Sequence, residues 1–169
     1  MKSVNFEILH DGWPELAALG GFAESYTHAD PASALVKLRL FAENLTKDIY
    51  RDLKLPKPVQ PTFVDLLKND SFIAITPKVV LDKLHALRMH GNKAAHGEPV
   101  RTQHALWLLK EAHDLARWLC IQYGKAKADQ LSPFVQPSAP GRAEEKERRQ
   151  ILEKLAAQEA QMEALLSEL

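Results

Sequence analysis

The chain has 169 residues, of which 46% are hydrophobic and 26% charged, a composition typical of a soluble globular protein and not of a disordered one. Its 22 basic residues balance 22 acidic residues, so the net charge does not attract the whole chain to nucleic acid or to an anionic membrane. The single cysteine, Cys120, excludes an internal disulfide framework and a zinc site built from several cysteines.

Targeting and membrane signals are missing from the sequence. No apolar run approaches the roughly 20 residues that a transmembrane helix requires. The first residues, from Met1 to Glu7, lack the apolar core of a signal peptide. We therefore expect a cytoplasmic protein with no membrane partner.

Helix signals run through residues 1–124, and strand signals are nearly absent. The pattern predicts a first helix from about Pro14 to Tyr26. A second, longer helix begins where Asp30 precedes Pro31, because aspartate caps helix N-termini and proline is favoured at the first helical position. Its apolar stripe recurs every three or four residues and stops before the prolines at 56, 58 and 61. The stripe comprises Leu35, Leu38, Ala42, Leu45, Ile49 and Leu53.

Two further helix starts follow in the middle of the chain. Thr62, with Asp65 three positions later, is the capping-box pattern of a short helix that reaches about Asn69. Thr76 before Pro77 repeats the combination of a capping residue and a proline. Each start is followed by apolar residues at helical spacing, so both predict helices.

The helix that follows Pro77 is predicted to end or bend at Gly91–Asn92, because both residues tolerate the positive φ of a helix C-terminus. Thr102 begins the last helix of this region. The predicted fold class is therefore all-α, a compact bundle of about five helices over residues 1–124. A proline-rich linker is predicted over residues 125–142 and a projecting, charged amphipathic helix over residues 143–169.

The predicted C-terminal helix carries an apolar seam at alternating spacings of four and three. Its positions are Ile151, Leu155, Gln158, Met162, Leu165 and Leu169. A coiled-coil seam this short is marginal alone and gains stability by packing on a partner. The partner is the helical body, a second copy in a homodimer through residues 143–169, or a domain that continues beyond Leu169.

The sequence gives little support for a metal or cofactor site. Neither a G-x-x-x-x-G-K-[ST] loop nor a G-x-G-x-x-G fingerprint occurs. No two of the seven histidines have the i, i+4 spacing of an H-E-x-x-H motif. We expect no bound cofactor and no metal, and we expect Cys120, between Leu119 and Ile121, to act as a small buried hydrophobe.

The densest polar cluster lies between Arg88 and His96. A bend at Gly91–Asn92 would bring Arg88, Asn92 and His96 together in a polar corner. Two interpretations remain open. In one, Asn92 and His96 satisfy exposed backbone groups at a helix end. In the other, the corner binds a phosphate or cleaves RNA, with His96 as general base and Arg88 stabilising charge; no other catalytic residue is predicted.

Three stretches carry a resemblance to a known family. They are Asn5-Phe6-Glu7-Ile8-Leu9, the run from Ala34 to Glu43, and the run from Leu87 through Gly91-Asn92 to His96. Together they resemble the N-terminal helical domain that precedes the nuclease and helicase domains in the R (restriction) subunits of type I restriction–modification systems. The resemblance covers about residues 3–123.

This resemblance implies a defence protein, an ATP-dependent DNA translocase and endonuclease, of which the chain is a non-catalytic N-terminal module. ATP and Mg²⁺ are then expected only in the missing domains. The implied partners are the later domains of the same subunit and the methyltransferase and specificity subunits. The expected docking surface includes Trp107, Trp118 and Phe134. DNA contact is also implied, and Arg51, Lys54 and Lys57 are the candidate phosphate contacts.

The helical domain is also similar to the HEPN superfamily, whose ribonucleases use an arginine, four to six residues and then a histidine. Here seven residues separate Arg88 from His96, and Met89 stands where a polar residue usually follows the arginine. The similarity implies an alternative function, a metal-independent ribonuclease that acts as a homodimer with paired Arg88 and His96 sites, and the two departures from the pattern argue against it.

Overall fold

The structure is a computed structural model that describes residues 3–139 and 141–168, and only the backbone of residues 142–145. Within these ranges the chain forms seven α-helices and two 3-10 turns, at Glu7–Leu9 and Ala128–Gln130, and contains no strand. The all-α prediction is confirmed. The helices are α1 (Pro14–Tyr26), α2 (Pro31–Leu53), α3 (Phe63–Lys68), α4 (Asp70–Ile73), α5 (Lys78–Ala95), α6 (Thr102–Gln122) and α7 (Arg142–Ser167).

The long helix α2 lies at the centre of the bundle and packs against α1, α5 and α6. It begins as the sequence predicts, because the Asp30 carboxylate accepts hydrogen bonds from the backbone N–H and the hydroxyl of Ser33. It ends at Leu53, where Lys54 adopts the left-handed conformation (φ 53°) and directs its N–H back to the last carbonyls of the helix. Local capping chemistry therefore sets both ends of α2.

The predicted short helix at residues 62–69 is two helices in the structure. Thr62 caps α3 by accepting the N–H of Asp65. Asn69 then takes an extended conformation and its amide donates to the carbonyl of Pro56 at 2.8 Å and to the hydroxyl of Ser71 at 2.8 Å. These bonds stabilise Asn69 in the non-helical conformation that separates α3 from α4. The sequence did not predict α4 as a separate helix.

The predicted bend at Gly91–Asn92 is wrong, since α5 continues without interruption to Ala95. Gly91 is buried where α5 crosses α2, and a Cβ there would overlap the Cβ of Arg39 and lie 3.0 Å from the carbonyl oxygen of Leu35. The glycine is therefore explained by close helix approach and not by a positive φ. The chain reverses later, at Gly97, whose φ is +86°.

The start of α5 also differs from the prediction. Thr76 makes no capping hydrogen bond, and the N-cap position is Pro77. The Thr76 hydroxyl is buried and has no hydrogen-bond partner among the described residues. The predicted threonine cap is therefore wrong, and Pro77 lies one position before the first helical residue, Lys78.

The helices α5 and α6 are joined across their partly exposed sides by a charged cluster. The ammonium of Lys83 on α5 lies 2.7 Å from Glu111 and 3.2 Å from Asp114, both on α6. On its buried side α6 contributes nine residues to the core, as many as α2 does. Cys120 is among them and its Sγ donates to the carbonyl of Ile8 at 3.4 Å, so the expected buried cysteine is confirmed.

The first compact unit extends to Pro137, beyond the predicted linker start at residue 125. Residues 131–137, which we call the strap, form neither helix nor strand and pack against the body. The Asn5 amide donates to the carbonyl of Val135 and accepts from its N–H, both at 2.8 Å, and Phe134 packs on the ring of His113. These contacts explain why part of a proline-rich segment is ordered against the bundle.

The second unit begins at Ser138 and contains α7. Every side chain described on it, from residue 146 to residue 168, is exposed, including the seam residues Ile151, Leu155 and Met162. The last predicted seam position, Leu169, lies outside the described residues. The seam is thus present as an apolar stripe on a 26-residue helix.

Candidate functional site

The predicted polar corner does not form, because α5 is straight through Gly91 and Asn92. Arg88, Asn92 and His96 instead occupy successive turns along one side of the helix. At 1.5 Å of rise per residue, Arg88 and His96 are about 12 Å apart along the axis. Within one chain the two candidate catalytic residues therefore do not converge on one reacting atom.

Asn92 connects two helices. Its side-chain oxygen accepts a hydrogen bond from Nε of Arg39 on α2 at 2.5 Å. Arg39 also bonds the carboxylate of Glu43 one turn later at 3.1 Å, and Lys47 lies 3.2 Å from the same carboxylate. Asn92 therefore positions α5 on α2, beside the close approach at Gly91.

Arg88 lies next to a histidine that the sequence reasoning did not select. Its Nη2 is 3.3 Å from Nδ1 of His85, one turn earlier on α5. Burial, and then the positive charge of Arg88, lower the pKa of His85, so the imidazole is neutral at pH 7 and able to accept from the guanidinium. The three-residue spacing on one helix is the signal that could have identified this pair.

His96 is exposed at the end of α5, where its backbone N–H bonds to the carbonyl of Asn92 at 3.0 Å. This is a helix-end contact, although the backbone and not the imidazole makes it. A catalytic role for Arg88 and His96 remains a prediction.

The three candidate phosphate contacts at the end of α2 have different surroundings. Arg51 lies 3.1 Å from both Asp48 and Asp52, so two carboxylates offset its charge. Arg51 and Lys57 line one cavity of about 440 Å³, whereas Lys54 does not. The structure thus brings two of the three cations together, next to the negative charge of Asp48.

The three aromatic residues of the expected docking surface have separate environments. Phe134 belongs to the strap and packs on His113, with ring centroids 5.5 Å apart. Trp118 meets the ring of Tyr123 edge to face near the end of α6. Only Trp107 is strongly exposed, at 47%. These contacts do not join the three residues into one face.

A cluster at the α5–α6 end of the body was missed by the sequence reasoning. His90 on α5 and His104 on α6 approach to 2.7 Å between Nδ1 and Nε2, so one ring donates to the other. Trp107 packs against both, with ring centroids 5.3 Å and 6.0 Å away. Burial, together with the nearby His104 and Lys93, lowers the pKa of His90. No short sequence motif connects these residues, which only helix packing brings together.

The described residues include no group of three His, Cys, Asp or Glu side chains placed to hold a metal ion. In the same part of the chain, no helix is both long and apolar enough to cross a bilayer. The expectations about cofactors and metals remain predictions.

Comparison with known proteins gives one informative relative. Over 118 residues the chain is 31% identical to the Type I restriction enzyme EcoKI endonuclease subunit of Escherichia coli (strain K12). The aligned stretch covers 70% of this chain and 10% of that subunit, so the chain spans about a tenth of the relative's length. No family model and no solved structure matches the chain. The similarity supports a distant relation to type I restriction enzymes, in agreement with the resemblance of the three sequence stretches.

Proposed function

We propose that the chain is a non-catalytic helical module of a type I restriction endonuclease subunit and serves to dock other parts of that enzyme. The observation that carries the proposal is the 31% identity over 118 residues to a subunit of this kind. The partners are the nuclease and helicase domains of the subunit or its methyltransferase and specificity subunits. ATP, Mg²⁺ and the cleavage of foreign DNA belong to those domains and not to this module.

An exposed apolar surface on α1 supports a docking role. Phe22 and Tyr26 stack on each other with ring centroids 4.3 Å apart, and each is more than a third exposed. The ammonium of Lys37 on α2 lies 4.8 Å from the centre of the Phe22 ring, a cation–π contact that favours this position of the ring. Partly exposed aromatic side chains, tyrosine in particular, are enriched among the residues that dominate protein interfaces.

A groove adjoins these rings. It has a volume of about 750 Å³ and is lined by the small residues Ala17, Ala18 and Gly21 of α1, by Phe22 itself, and by polar residues that include Glu7 and His10. Small residues let a partner helix or loop approach the backbone of α1 closely. We call Phe22, Tyr26 and this groove the α1 surface, and we assign the docking contact to it.

The docking assay uses the intact chain and purified partners from the type I system of the same genome. Isothermal titration measures binding to the methyltransferase–specificity complex and to the nuclease–helicase part of the endonuclease subunit. Replacing Phe22 and Tyr26 by serine is expected to weaken binding at least tenfold. The matched control is Val59→Ser, since Val59 is a fully exposed and isolated apolar side chain. Failure of both partners to bind at micromolar concentrations contradicts the proposal.

Duplex DNA contact through Arg51, Lys54 and Lys57 is the second part of the proposal. Each lysine or arginine that neutralises a phosphate of duplex DNA adds about −0.9 to the slope of log K against log salt. Because Asp48 and Asp52 already pair with Arg51, we expect a slope nearer to −2 than to −3. Titration with duplex DNA at two salt concentrations measures it.

A further inference from the structure

Charge is unevenly distributed along the neutral chain. Between Leu84 and Leu109, a stretch that covers most of α5, the following turn and the start of α6, Glu98 is the only acidic residue. The same stretch contains Arg88, Lys93 and Arg101, which give it a formal charge of +2 before any histidine is protonated. It also holds four of the seven histidines of the chain.

The fold exposes two of these cations at one end of the bundle. Lys93 lies in the last turn of α5, Arg101 is the N-cap residue of α6, and both are exposed. In the described part of the chain neither has a carboxylate within 4.0 Å, in contrast to Lys83 and Lys110, which Glu111 and Asp114 neutralise. Positive charge at this end is therefore available to an external anion.

An exposed aromatic ring lies beside the two cations. Trp107 is 47% exposed, and its inner side rests on the hydrogen-bonded His90 and His104 rings. Lys93 is close enough to His90 to act on it electrostatically, and His104 follows Arg101 by one turn. Lys93, Arg101 and Trp107 thus surround the same histidine pair.

We propose that Lys93, Arg101 and Trp107 form a contact surface for single-stranded nucleic acid, with the two cations on successive phosphates and the indole stacked on a base. Cations beside an exposed aromatic ring are the combination that binds single strands. A duplex does not offer the face of a base to the indole, so the tryptophan favours a single strand. The inference rests on charge and exposure and is independent of protein docking through the α1 surface.

The expected strength follows from the number of contacts. Two phosphate contacts with a single strand predict a slope of about −1.4 for log K against log salt. Stacking of one base on Trp107 is expected to strengthen binding by about tenfold without changing this slope. Charge and stacking are therefore separable in one set of salt titrations.

The experiment is fluorescence anisotropy of a labelled 20-nucleotide oligo(dT) with the 169-residue chain at several salt concentrations. Replacing Lys93 and Arg101 by glutamine is expected to reduce the slope to near zero. Trp107→Leu is expected to weaken binding about tenfold and to keep the slope. The control replaces Lys125 and Lys127, two exposed lysines that follow the C-terminal end of α6, by glutamine. It removes the same charge, and it is expected to leave single-strand binding unchanged. Circular dichroism verifies that each variant is folded.

Three results would overturn the assignment. They are no binding at the lowest salt concentration, equal losses in the Lys93/Arg101 and Lys125/Lys127 variants, and a loss of duplex binding in the Lys93/Arg101 variant as large as its loss of single-strand binding. Replacement of Phe22 and Tyr26 by serine serves as a cross-check, because it impairs the proposed docking and leaves oligo(dT) binding intact. Failure of the docking proposal and failure of this one therefore give different results.

Discussion

Gly91 and Arg39 meet where α5 crosses α2, so closely that a methyl group on Gly91 would overlap the first carbon of the arginine side chain. The carbonyl oxygen of Leu35 lies on the same side, 3.0 Å from where that methyl group would be. Arg39 also donates from Nε to the side-chain oxygen of Asn92, the residue that follows Gly91. The pair therefore sets both the spacing of the two helices and the orientation of Arg39.

The first prediction concerns this crossing. Gly91→Ala is expected to destabilise the protein by about 1–3 kcal/mol, because the backbone at Leu35 cannot move aside as a flexible side chain would. Urea unfolding followed by circular dichroism measures the loss. Gly12→Ala is the control, since nothing lies within 4 Å of a Cβ at Gly12. If Gly91→Ala lowers the free energy of unfolding no more than Gly12→Ala does, the two helices can move apart at Gly91 without a cost in stability.

The second prediction concerns the strap. Asn5 is buried, and its side chain makes two hydrogen bonds to the backbone of Val135 and one to Glu24. Asn5→Ala leaves the N–H and the carbonyl of Val135 without these partners, at an expected cost of about 1–3 kcal/mol. The strap should also become sensitive to chymotrypsin at Phe134. Gln136→Ala, an exposed neighbour in the same segment, should change neither property.

The third prediction concerns pH. His113 is 1% exposed between the rings of Phe6 and Phe134, and neither ring nitrogen has a hydrogen-bond partner among the described residues. Burial is the largest cause and lowers the pKa of His113. The positive charges of Arg117 and Lys110 lower it further, whereas the carboxylates of Asp114 and Glu24 raise it. The folded pKa is thus below the ordinary value of about 6.5, and the unfolded chain binds more protons below that pH.

The contribution of His113 to stability is therefore complete above about pH 6.5 and is lost as the pH falls through the folded pKa. Urea midpoints measured between pH 7.5 and pH 5 should decrease, and His113→Leu should make the decrease smaller. Part of it should remain, because burial also lowers the pKa values of His85 and His90. If the urea midpoint of His113→Leu falls between pH 7.5 and pH 5 as much as that of the unmodified chain, His113 is protonated in the folded protein without a cost in stability.

The fourth prediction separates the module from a HEPN-like ribonuclease. Arg88 and His96 are about two helical turns apart along α5, and Arg88 is turned to His85. We expect RNA to stay intact after long incubation with the purified chain, with or without EDTA. Cleavage that His96→Ala abolishes, in a variant that remains folded, would instead establish the ribonuclease.

Local chemistry explains which parts of the fold the sequence could predict. The start of α2 depends on Asp30, Pro31 and Ser33, which are neighbours in the chain, so its N-terminus was predicted correctly. Gly91 is different, because its role depends on Arg39, more than fifty positions earlier. A glycine within a helical pattern has the same appearance in sequence whether it bends the chain or admits a neighbouring helix.

The candidate sites were harder to predict for the same reason. His90 and His104 are on different helices, and their contact across the α5–α6 interface has no sequence signature. The charges of Arg51, Lys54 and Lys57 were visible, but the pairing of Arg51 with Asp48 and Asp52 depends on side-chain geometry. Composition predicts a linker over residues 125–142. It does not reveal the contacts of the strap, because the bonds between Asn5 and Val135 join residues 130 positions apart.

The last prediction concerns self-association through α7. Ile151, Leu155, Met162 and Leu165 form a stripe of side chains that are each more than half exposed, interrupted by the polar Gln158. A seam this short gives a weak coiled coil, so we expect the chain to form dimers only at high micromolar concentration. Sedimentation equilibrium should show this dimer, and Leu155→Ser with Leu165→Ser should remove it.

Residues 1–137, which contain the first compact unit, should fold and remain monomeric under the same conditions. A truncated body that dimerises as the full chain does would place the interface on the bundle and leave α7 free for a later domain.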